Sequence, residues 1–214
     1  MTTKLNEYLA RCVELSETQL KIQKQNRRMP EGHMQIRPEL AHFFKFLLGL
    51  IKPKRILELG TYTGFSALTF AEATDDSCQI IAIDRNHEWT KLAQQFWLEA
   101  GVNDRIELIK GDATVVLNQL INSSTAPFDF IFIDASKKHY ERYVNLCLEL
   151  LTPNGVIAVD NVLWDGEVMN PDSTDLNAHY IAKFNDAMIS RKDIMVSIVP
   201  LDDGVMLIQK KDLS

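Results

Sequence analysis

Acidic residues stand at, or just past, the ends of four predicted strands in this chain. In an open α/β sheet, ligands bind beyond the carboxyl ends of the strands, so these carboxylates would meet at one edge. Taken singly, each acid also fits a helix cap or a turn. Packing gives no reason to gather several carboxylates at one edge, whereas a bound ligand or metal does. The residues are Asp84, Asp112, Asp134 and Asp160.

Two of these acids have polar neighbours that could complete a metal site. Asp134 is followed by Lys137, and Asp160 by Asn161. If the fourth and fifth strands are neighbours, two carboxylates and an amide oxygen converge. Oxygen donors with open positions favour a hard cation, Mg²⁺ first, with Mn²⁺ and Ca²⁺ as alternatives. Structural zinc would need histidine or sulfur ligands.

The segment Arg55–Ser66 predicts a buried strand, a glycine turn and the start of a helix. Gly60 and Gly64 form the turn, and the helix begins at about Phe65. Glycines at such a place let the backbone approach a charged cofactor closely. Their spacing is not the G-x-G-x-x-G of dinucleotide sites. It suits S-adenosylmethionine, a sulfonium without a phosphate.

Asp84 ends the second predicted strand, 26 positions after Glu58. Its carboxylate can accept hydrogen bonds from both hydroxyls of a ribose. Dinucleotide enzymes share this feature, so Asp84 alone does not distinguish the two kinds of cofactor.

Strands and helices alternate from the glycine turn onward. Because the strands are fully apolar, we expect a mostly parallel sheet with helices on both faces. The last two strands, joined by Leu201–Gly204, should form an antiparallel hairpin. The predicted fold class is therefore α/β. The predicted strands are 56–59, 79–84, 106–109, 128–134, 156–160, 194–199 and 205–209.

The chain is predicted to be one domain, residues 1–214, with a helical segment over 1–52 and an α/β core over 53–214. In the helical segment, a helix over 38–51 starts with Pro38. An earlier helix over residues 3 to about 28 would have an apolar face formed by Leu5, Leu9, Cys12 and Val13.

The composition excludes several classes of protein. A net charge of −6 over 214 residues argues against a nucleic-acid partner. The three scattered cysteines predict neither a disulfide framework nor a zinc site. The N-terminus lacks the apolar core of a signal peptide, and the most apolar stretch, 43–51, is too short to cross a bilayer. We expect a cytoplasmic protein with no membrane partner. A solvated helix face is predicted for Lys21, Lys24, Arg27 and Arg28.

Five segments together resemble the cation-dependent S-adenosylmethionine O-methyltransferases, a family that includes caffeoyl-coenzyme A and catechol O-methyltransferases and small bacterial relatives. The resemblance runs from about Met34 to the C-terminus, and the segments keep the family's order. They are Glu58–Ser66, Ala82–Asp84, Gly111–Ala113, Ile133–Lys137 and Val159–Trp164.

The resemblance implies a class I, Rossmann-like methyltransferase fold with seven strands, and a homodimer. It places Asp84 on the cofactor's ribose, Ala113 near the adenine, and Met34 and Ile36 along the methionine part. It assigns Asp134 and Lys137 to catalysis, with Lys137 as the general base. The metal ligands implied are Asp134, Asp160 and Asn161. The cofactor-binding residues implied are Met34, Ile36, Glu58, Gly60, Tyr62, Ser66, Asp84, Asp112, Ala113 and Asp134.

The implied reaction is methyl transfer to a hydroxyl of a catechol-like or related small aromatic acceptor, or of a thioester of one. The vicinal diol of the acceptor would chelate the divalent cation, which favours the phenolate near neutral pH. Two alternatives stay open at this point: a nicotinamide-dependent oxidoreductase on a similar sheet, and a non-catalytic protein that binds S-adenosylmethionine.

The chain departs from the family pattern at several positions near the expected site. Phe65 stands where many relatives have tyrosine, and Ser136 replaces the second acid of the plant Asp-Ala-Asp-Lys pattern. Arg37 stands where relatives often have a small residue, which could change the preferred charge of the acceptor. Trp164 could form a wall for an aromatic ring, and cover over the sheet is an equal alternative.

Overall fold

The computed structural model describes residue 8 and residues 10–211, in which seven strands form one mixed sheet. The strands are β1 (Arg55–Leu59), β2 (Gln79–Asp84), β3 (Ile106–Lys110), β4 (Phe128–Ile133), β5 (Leu151–Val159), β6 (Ile194–Val199) and β7 (Val205–Lys210). Their order across the sheet is β3-β2-β1-β4-β5-β7-β6. The first five strands run parallel, and β7 runs antiparallel to both β5 and β6. The predicted α/β fold with a C-terminal antiparallel hairpin is confirmed.

Helices cover both faces of this sheet. The α-helices of the described residues are α1 (Glu17–Asn26), α2 (Pro38–Ile51), α3 (Phe65–Glu72), α4 (His87–Glu99), α5 (Ala113–Asn122), α6 (Tyr140–Leu150) and α7 (Leu176–Ser190). Helices α1 to α4 pack into one hydrophobic core and α5 to α7 into the other. Successive residues of a strand point to opposite faces, so Ile56 belongs to the first core and Leu57 to the second. This is why the strands are apolar at almost every position.

The register of the central strands aligns the residues that follow them. Leu59 of β1 pairs with Ile83 and with Ile133, and Ile133 pairs in turn with Val159. The next residues of these four strands therefore form a row along the carboxyl edge of the sheet. That row consists of Asp84, Gly60, Asp134 and Asp160. Neighbouring strands lie about 4.8 Å apart, so the acids after β4 and β5 are held close together.

The antiparallel strand β7 brings a further turn to this edge. Val159 at the end of β5 pairs with Met206 near the start of β7. The residues just before β7 therefore lie beside the carboxyl end of β5. The backbone of Val162 donates to the Gly204 carbonyl at 3.0 Å, which joins the loop after β5 to the β6–β7 turn.

The N-terminal helix differs from the prediction. Instead of one helix over 3–28, a short 3-10 turn spans Ala10–Cys12, and α1 begins at Glu17. Ser16 Oγ accepts from the Gln19 backbone at 3.1 Å, and Gln19 Oε1 accepts from the Ser16 backbone at 3.0 Å. This capping box sets the helix start. Cys12 is exposed, so the predicted apolar face is wrong there. Leu5 and Leu9 lie outside the described residues.

The α1–α2 segment is packed onto the core, since Ile22 and Phe44 are fully buried. That the whole chain is one domain stays a prediction. The four basic residues 21, 24, 27 and 28 are exposed, as expected for a solvated helix face. In the described part of the chain, no helix has the length and apolar character needed to span a membrane.

Candidate active site

A cavity of about 800 Å³ opens at the carboxyl edge of the sheet. It lies beside β1 and β4, where the strand order reverses and open α/β sheets bind their ligands. Residues 33–37, the turn after β1 and the loops after β4, β5 and β6 enclose it. Predicted site residues that line it are Met34, Ile36, Gly60, Tyr62, Asp84, Asp134, Lys137, Asp160 and Asn161.

The two glycines of the turn have different reasons to be glycine. Both have left-handed backbones, with φ of +87° at Gly60 and +83° at Gly64. A Cβ at Gly60 would lie 1.9 Å from the Asp134 carbonyl oxygen, so no other residue fits between β1 and β4. A Cβ at Gly64 would lie 2.6 Å from Trp97 Nε1, which donates to the Gly64 carbonyl at 3.0 Å. Gly60 lines the cavity, whereas Gly64 packs against α4, so the expected close approach to a cofactor does not extend to Gly64.

Asp84 ties the turn to the end of β2. Its Oδ2 accepts from the backbone N–H groups of Thr61 at 3.1 Å and Tyr62 at 2.9 Å. Its Oδ1 accepts from the Asn86 backbone at 2.9 Å. A carboxylate has about four acceptor positions, so the oxygens retain capacity for a ligand hydroxyl. Tyr62 packs its ring edge-to-face on Trp89, with 4.9 Å between the ring centroids.

The predicted metal and base residues meet around one ammonium group. Lys137 Nζ donates to Asp134 Oδ1 at 2.8 Å and to Asn161 Oδ1 at 2.6 Å. Asn161 has a left-handed backbone with φ +57°, a conformation that asparagine tolerates better than most residues. Its N–H donates to Asp160 Oδ1 at 2.8 Å. Tyr140 donates its hydroxyl to the Asp160 carbonyl at 2.9 Å and so supports the cluster from beneath.

The electrostatics of this cluster follow from its burial. Asp160 is 2% exposed, and burial, then the nearby charge of Asp134, raises its pKa well above the usual range. Burial acts to lower the pKa of Lys137, but the charges and hydrogen bonds of Asp134 and Tyr140 together outweigh that effect and raise the pKa. In this arrangement Lys137 is an ammonium ion that holds its proton. A cation bound beside Asp134 and Asp160 would favour the charged form of both carboxyl groups.

The donor set fits a hard cation. Oxygens of Asp134 and Asn161 already converge on one positively charged group, which stands in for part of the charge that a cation would supply. The carboxylate and amide oxygens are of the kind that Mg²⁺ prefers. Among the described residues, no group of three or more His, Cys, Asp or Glu is arranged for a metal ion. A site here therefore depends on the amide of Asn161.

Four predicted cofactor residues lie outside the cavity lining: Glu58, Ser66, Asp112 and Ala113. Asp112 caps α5 by accepting from the backbones of Thr114 at 2.9 Å and Val115 at 3.3 Å. It therefore has the role of a helix cap, which the sequence offered as the alternative to ligand binding for each of the four acids. Glu58 is fully buried beneath the turn, and burial raises its pKa to about 8. Neither of its carboxyl oxygens has a hydrogen-bond partner of good geometry among the described residues, although the nearby Ser66 and Thr61 hydroxyls partly offset the effect of burial on its pKa. Such an orphaned buried carboxyl is what a cationic ligand group would satisfy.

Further residues line the cavity that were not predicted from the sequence: His33, Gln35, Ala135, Asp165, Asn177, Asp202 and Asp203. Asp202 and Asp203 belong to the turn before β7. The predicted hairpin could have placed these two residues at the site. A strand that runs antiparallel to β5 must begin at the carboxyl edge of the sheet, and the residues before it then lie at that edge. The sequence does not reveal that β7 inserts next to β5. Arg37 and Trp164, named as departures or candidate walls, also line the cavity.

Asn26 connects α1 to two parts of the cavity wall. Its Nδ2 donates to Thr63 Oγ1 at 2.7 Å, within the glycine turn, and to Gln35 Oε1 at 2.9 Å. Asn26 is 2% exposed. Gly32 allows the chain to turn back here, because a Cβ at that position would lie 2.1 Å from the Asn26 carbonyl oxygen.

Comparison with known proteins identifies the family of this chain. The family model described as O-methyltransferase matches residues 10–211. The chain belongs to the O-methyltransferase family. A probable caffeoyl-CoA O-methyltransferase 2 of Dictyostelium discoideum is 34% identical over 209 residues, covering 96% of this chain and 90% of that protein. A caffeoyl-CoA O-methyltransferase of Eucalyptus gunnii is 35% identical over 181 residues, covering 81% of this chain and 73% of that protein.

Solved structures of O-methyltransferases have the same fold. An SAH-bound methyltransferase of Podospora anserina superposes with a TM-score of 0.89 at 29% identity, covering 98% of this chain and 94% of that chain. The O-methyltransferase TomG of Streptomyces achromogenes, solved with SAM, superposes with a TM-score of 0.88 at 26% identity, covering 99% of this chain and 100% of that chain. The chain is an S-adenosylmethionine-dependent O-methyltransferase, and the nicotinamide oxidoreductase and non-catalytic alternatives are set aside.

Proposed function

We propose that this O-methyltransferase methylates a hydroxyl of a catechol-like small aromatic acceptor, with a divalent cation, Mg²⁺ first, held by Asp134, Asp160 and Asn161. The observation that carries the proposal is the convergence of Asp134 Oδ1 and Asn161 Oδ1 on Lys137 Nζ, beside the buried Asp160. Buried carboxylates that repel each other are stabilised by a cation. The oxygen donors leave coordination positions for the two oxygens of a diol.

The two bound groups would supply what side chains cannot: the sulfonium an electrophilic methyl, and the cation a lower pKa for the hydroxyl of the acceptor. The residues of the chain then have positioning roles. Asp84 accepts hydrogen bonds at the cofactor's ribose. Gly60 and Tyr62 form the wall behind the donor, and Trp164 lies beside Lys137, with its ring centroid 5.9 Å from Nζ. Alignment of donor and acceptor supplies much of the acceleration.

Lys137 is proposed to accept the proton of the acceptor at Nζ. Burial acts to lower the pKa of Lys137, and the charge of Asp134 is the largest of the contributions from Asp134 and Tyr140 that together raise it. Once Asp134 shares that charge with a divalent cation, burial and repulsion both lower the lysine pKa. Nζ can then be neutral at the pH where the hydroxyl loses its proton, as a lysine base requires. Glu58, Ser66, Asp112 and Ala113 are proposed to support the cofactor from outside the cavity lining.

The names of the relatives give caffeoyl-CoA, a dihydroxyphenyl thioester, as an acceptor in the family. A phenolic acceptor is proposed here on that likeness and on the cavity volume, which accommodates one aromatic ring beside a bound cofactor. A homodimer and a cytoplasmic location remain predictions from the resemblance and the composition.

The proposal is tested by methylation of a simple catechol with and without EDTA, and by direct binding of Mn²⁺. EDTA should abolish turnover, and added Mg²⁺ should restore it. Asp160→Ala should lower kcat/KM on the order of 100-fold and weaken Mn²⁺ binding measured by electron paramagnetic resonance. Glu107→Gln is the control, since Glu107 is exposed on the edge strand β3. Full activity in EDTA would refute the metal-dependent mechanism.

A further inference from the structure

The backbone that carries Asn161 leaves the sheet just before this residue. The antiparallel register of β5 with β7 runs to Val159, which pairs with Met206. Asn161 itself has a left-handed backbone, with φ +57°. Asparagine tolerates that region but adopts others as readily, so the surroundings must select it. The contacts that fix the peptides on either side of Asn161 therefore decide where its amide oxygen lies.

Two buried side chains donate to the carbonyls that flank Asn161. Tyr140 donates its hydroxyl to the Asp160 carbonyl at 2.9 Å. Asn185 Nδ2 donates to the Val162 carbonyl at 2.7 Å. Both donors are buried, so water competes little for these bonds. The peptide before Asn161 and the peptide after the next residue are each held by a hydrogen bond from a helix.

The bond from Asn185 completes the pairing of a buried backbone. Val162 is fully buried, and its N–H donates to the Gly204 carbonyl at 3.0 Å. Its carbonyl also needs a partner, because an unpaired buried carbonyl is destabilising. Asn185 supplies that partner from α7, 23 residues further along the chain. Asn185 Oδ1 is buried with no hydrogen-bond partner within the described ranges. The bond to Val162 is therefore the polar contact that accounts for an amide at this place in α7.

Helix α7 supports both of these hydrogen bonds. Phe184, the residue before Asn185, packs edge-to-face on the Tyr140 ring with 5.5 Å between the ring centroids. The same helix packs against the Lys137–His139 turn. Consecutive residues of one helix thus support the backbone on both sides of Asn161. A site held by a helix is more precise than one held by loops alone.

We propose that Asn185 is a positioning residue of the metal site, because its bond to the Val162 carbonyl fixes the backbone of Asn161. This inference rests on the proposed function, in which Asn161 is a metal ligand. The fixed backbone keeps Asn161 Oδ1 in the cluster, where it lies 2.6 Å from Lys137 Nζ. Asn185 acts through a carbonyl and takes no part in the chemistry. Residues that orient metal ligands typically change metal affinity on the order of 10- to 100-fold.

Asn185→Leu tests the role, because leucine keeps the number and branching of side-chain heavy atoms and removes the donor. The dissociation constant of Mn²⁺, measured by electron paramagnetic resonance, should rise about 10-fold, the low end of the range because the effect passes through one peptide. The Mg²⁺ concentration for half-maximal turnover should rise by the same factor, and saturating Mg²⁺ should restore kcat. The dissociation constant of SAH should stay at the wild-type value in calorimetry.

Met188→Ala is the matched control for a general loosening of α7. Met188 lies three residues after Asn185 on the same buried face and is 1% exposed. Its truncation leaves a cavity in the core without removing the donor to Val162. The variant should unfold at lower urea concentration but bind Mn²⁺ as the wild type does. An equal loss of Mn²⁺ affinity in Met188→Ala would mean that Asn185 acts only through the stability of the helix.

Amide hydrogen exchange of the metal-free protein, followed by NMR, measures the backbone itself. In Asn185→Leu the amides of Asn161 and Val162 should exchange on the order of 10-fold faster relative to those of β1, whereas Met188→Ala should leave this ratio unchanged. Asn185→Ala is the second variant and replaces Asn185→Leu if that protein does not fold. It also removes the donor but adds no apolar atoms.

The outcomes separate this inference from the proposed function. If the wild type binds Mn²⁺ and the Asn185 variants bind it equally tightly, the positioning role is wrong and the proposed function stands, even where exchange is faster. If the wild type binds no Mn²⁺, the metal-dependent function is wrong and the positioning role is wrong with it.

Discussion

Asn26→Leu tests whether α1 positions the cavity or only packs against it. Leucine has the same number and branching of side-chain heavy atoms as asparagine but no donor. The change leaves Thr63 Oγ1 and Gln35 Oε1 without the hydrogen bonds that Asn26 Nδ2 makes at 2.7 and 2.9 Å. The loss of two hydrogen bonds, together with the penalty for leaving two acceptors unpaired, should lower the free energy of unfolding by about 3 kcal/mol. Asn26 Oδ1 is buried with no hydrogen-bond partner in the described part of the chain, and its removal offsets about 1 kcal/mol.

The expected loss in the free energy of unfolding is therefore about 2 kcal/mol, which for a chain of this length lowers Tm by roughly 4–8 °C. Because Thr63 lies in the glycine turn and Gln35 lines the cavity, the dissociation constant of S-adenosylmethionine should rise about 5- to 10-fold. Urea unfolding and titration calorimetry measure the two effects. Asn118→Leu is the control, since Asn118 is exposed on α5 and bonds only the Thr114 carbonyl.

The reasoning is refuted if the free energy of unfolding of Asn26→Leu lies within about 0.5 kcal/mol of the wild-type value, as expected for an ordinary surface substitution. A variant that loses stability but binds S-adenosylmethionine as tightly as the wild type would refute the positioning role alone.

Three further changes follow from the buried groups near the site. Burial raises the pKa of Glu58 to about 8, so the folded protein holds the neutral carboxyl more tightly than the unfolded chain does. The contribution of this group to the free energy of unfolding is complete below the ordinary glutamate pKa and is lost as the pH rises through about 8. The free energy of unfolding should fall by about 1.4 kcal/mol per pH unit over that window, and Glu58→Gln should remove this slope in urea unfolding measured from pH 5 to pH 8. Gly60→Ala forces a Cβ against the Asp134 carbonyl, so we expect a loss of at least about 2 kcal/mol together with weaker cofactor binding by calorimetry. Tyr140→Phe removes the donor to the Asp160 carbonyl and should cost about 1–2 kcal/mol in urea unfolding; an unchanged midpoint would contradict this.

The alternation of apolar strands and helices was readable from the sequence because a parallel sheet buried on both faces needs apolar residues at nearly every strand position. The acids at the strand ends were readable for a related reason. In a parallel sheet, residues that follow the strands share one edge, so Asp84, Asp134 and Asp160 lie along the same edge regardless of the loop conformations. The N-terminal helix was misjudged because the local capping box of Ser16 and Gln19 overrides a weak apolar pattern.

The sequence by itself determined the fold class, the glycine turn and the acid and amide oxygens at the edge of the sheet, because each depends on local pattern or on strand direction. The tertiary structure decided which of these groups face the cavity. Gly64 packs on Trp97 and Glu58 lies buried because of neighbours far along the chain, whereas Asp112 caps α5 through the nearby backbones of Thr114 and Val115. The insertion of β7 beside β5, set by long-range pairing, brought Asp202 and Asp203 into the wall of the acceptor site.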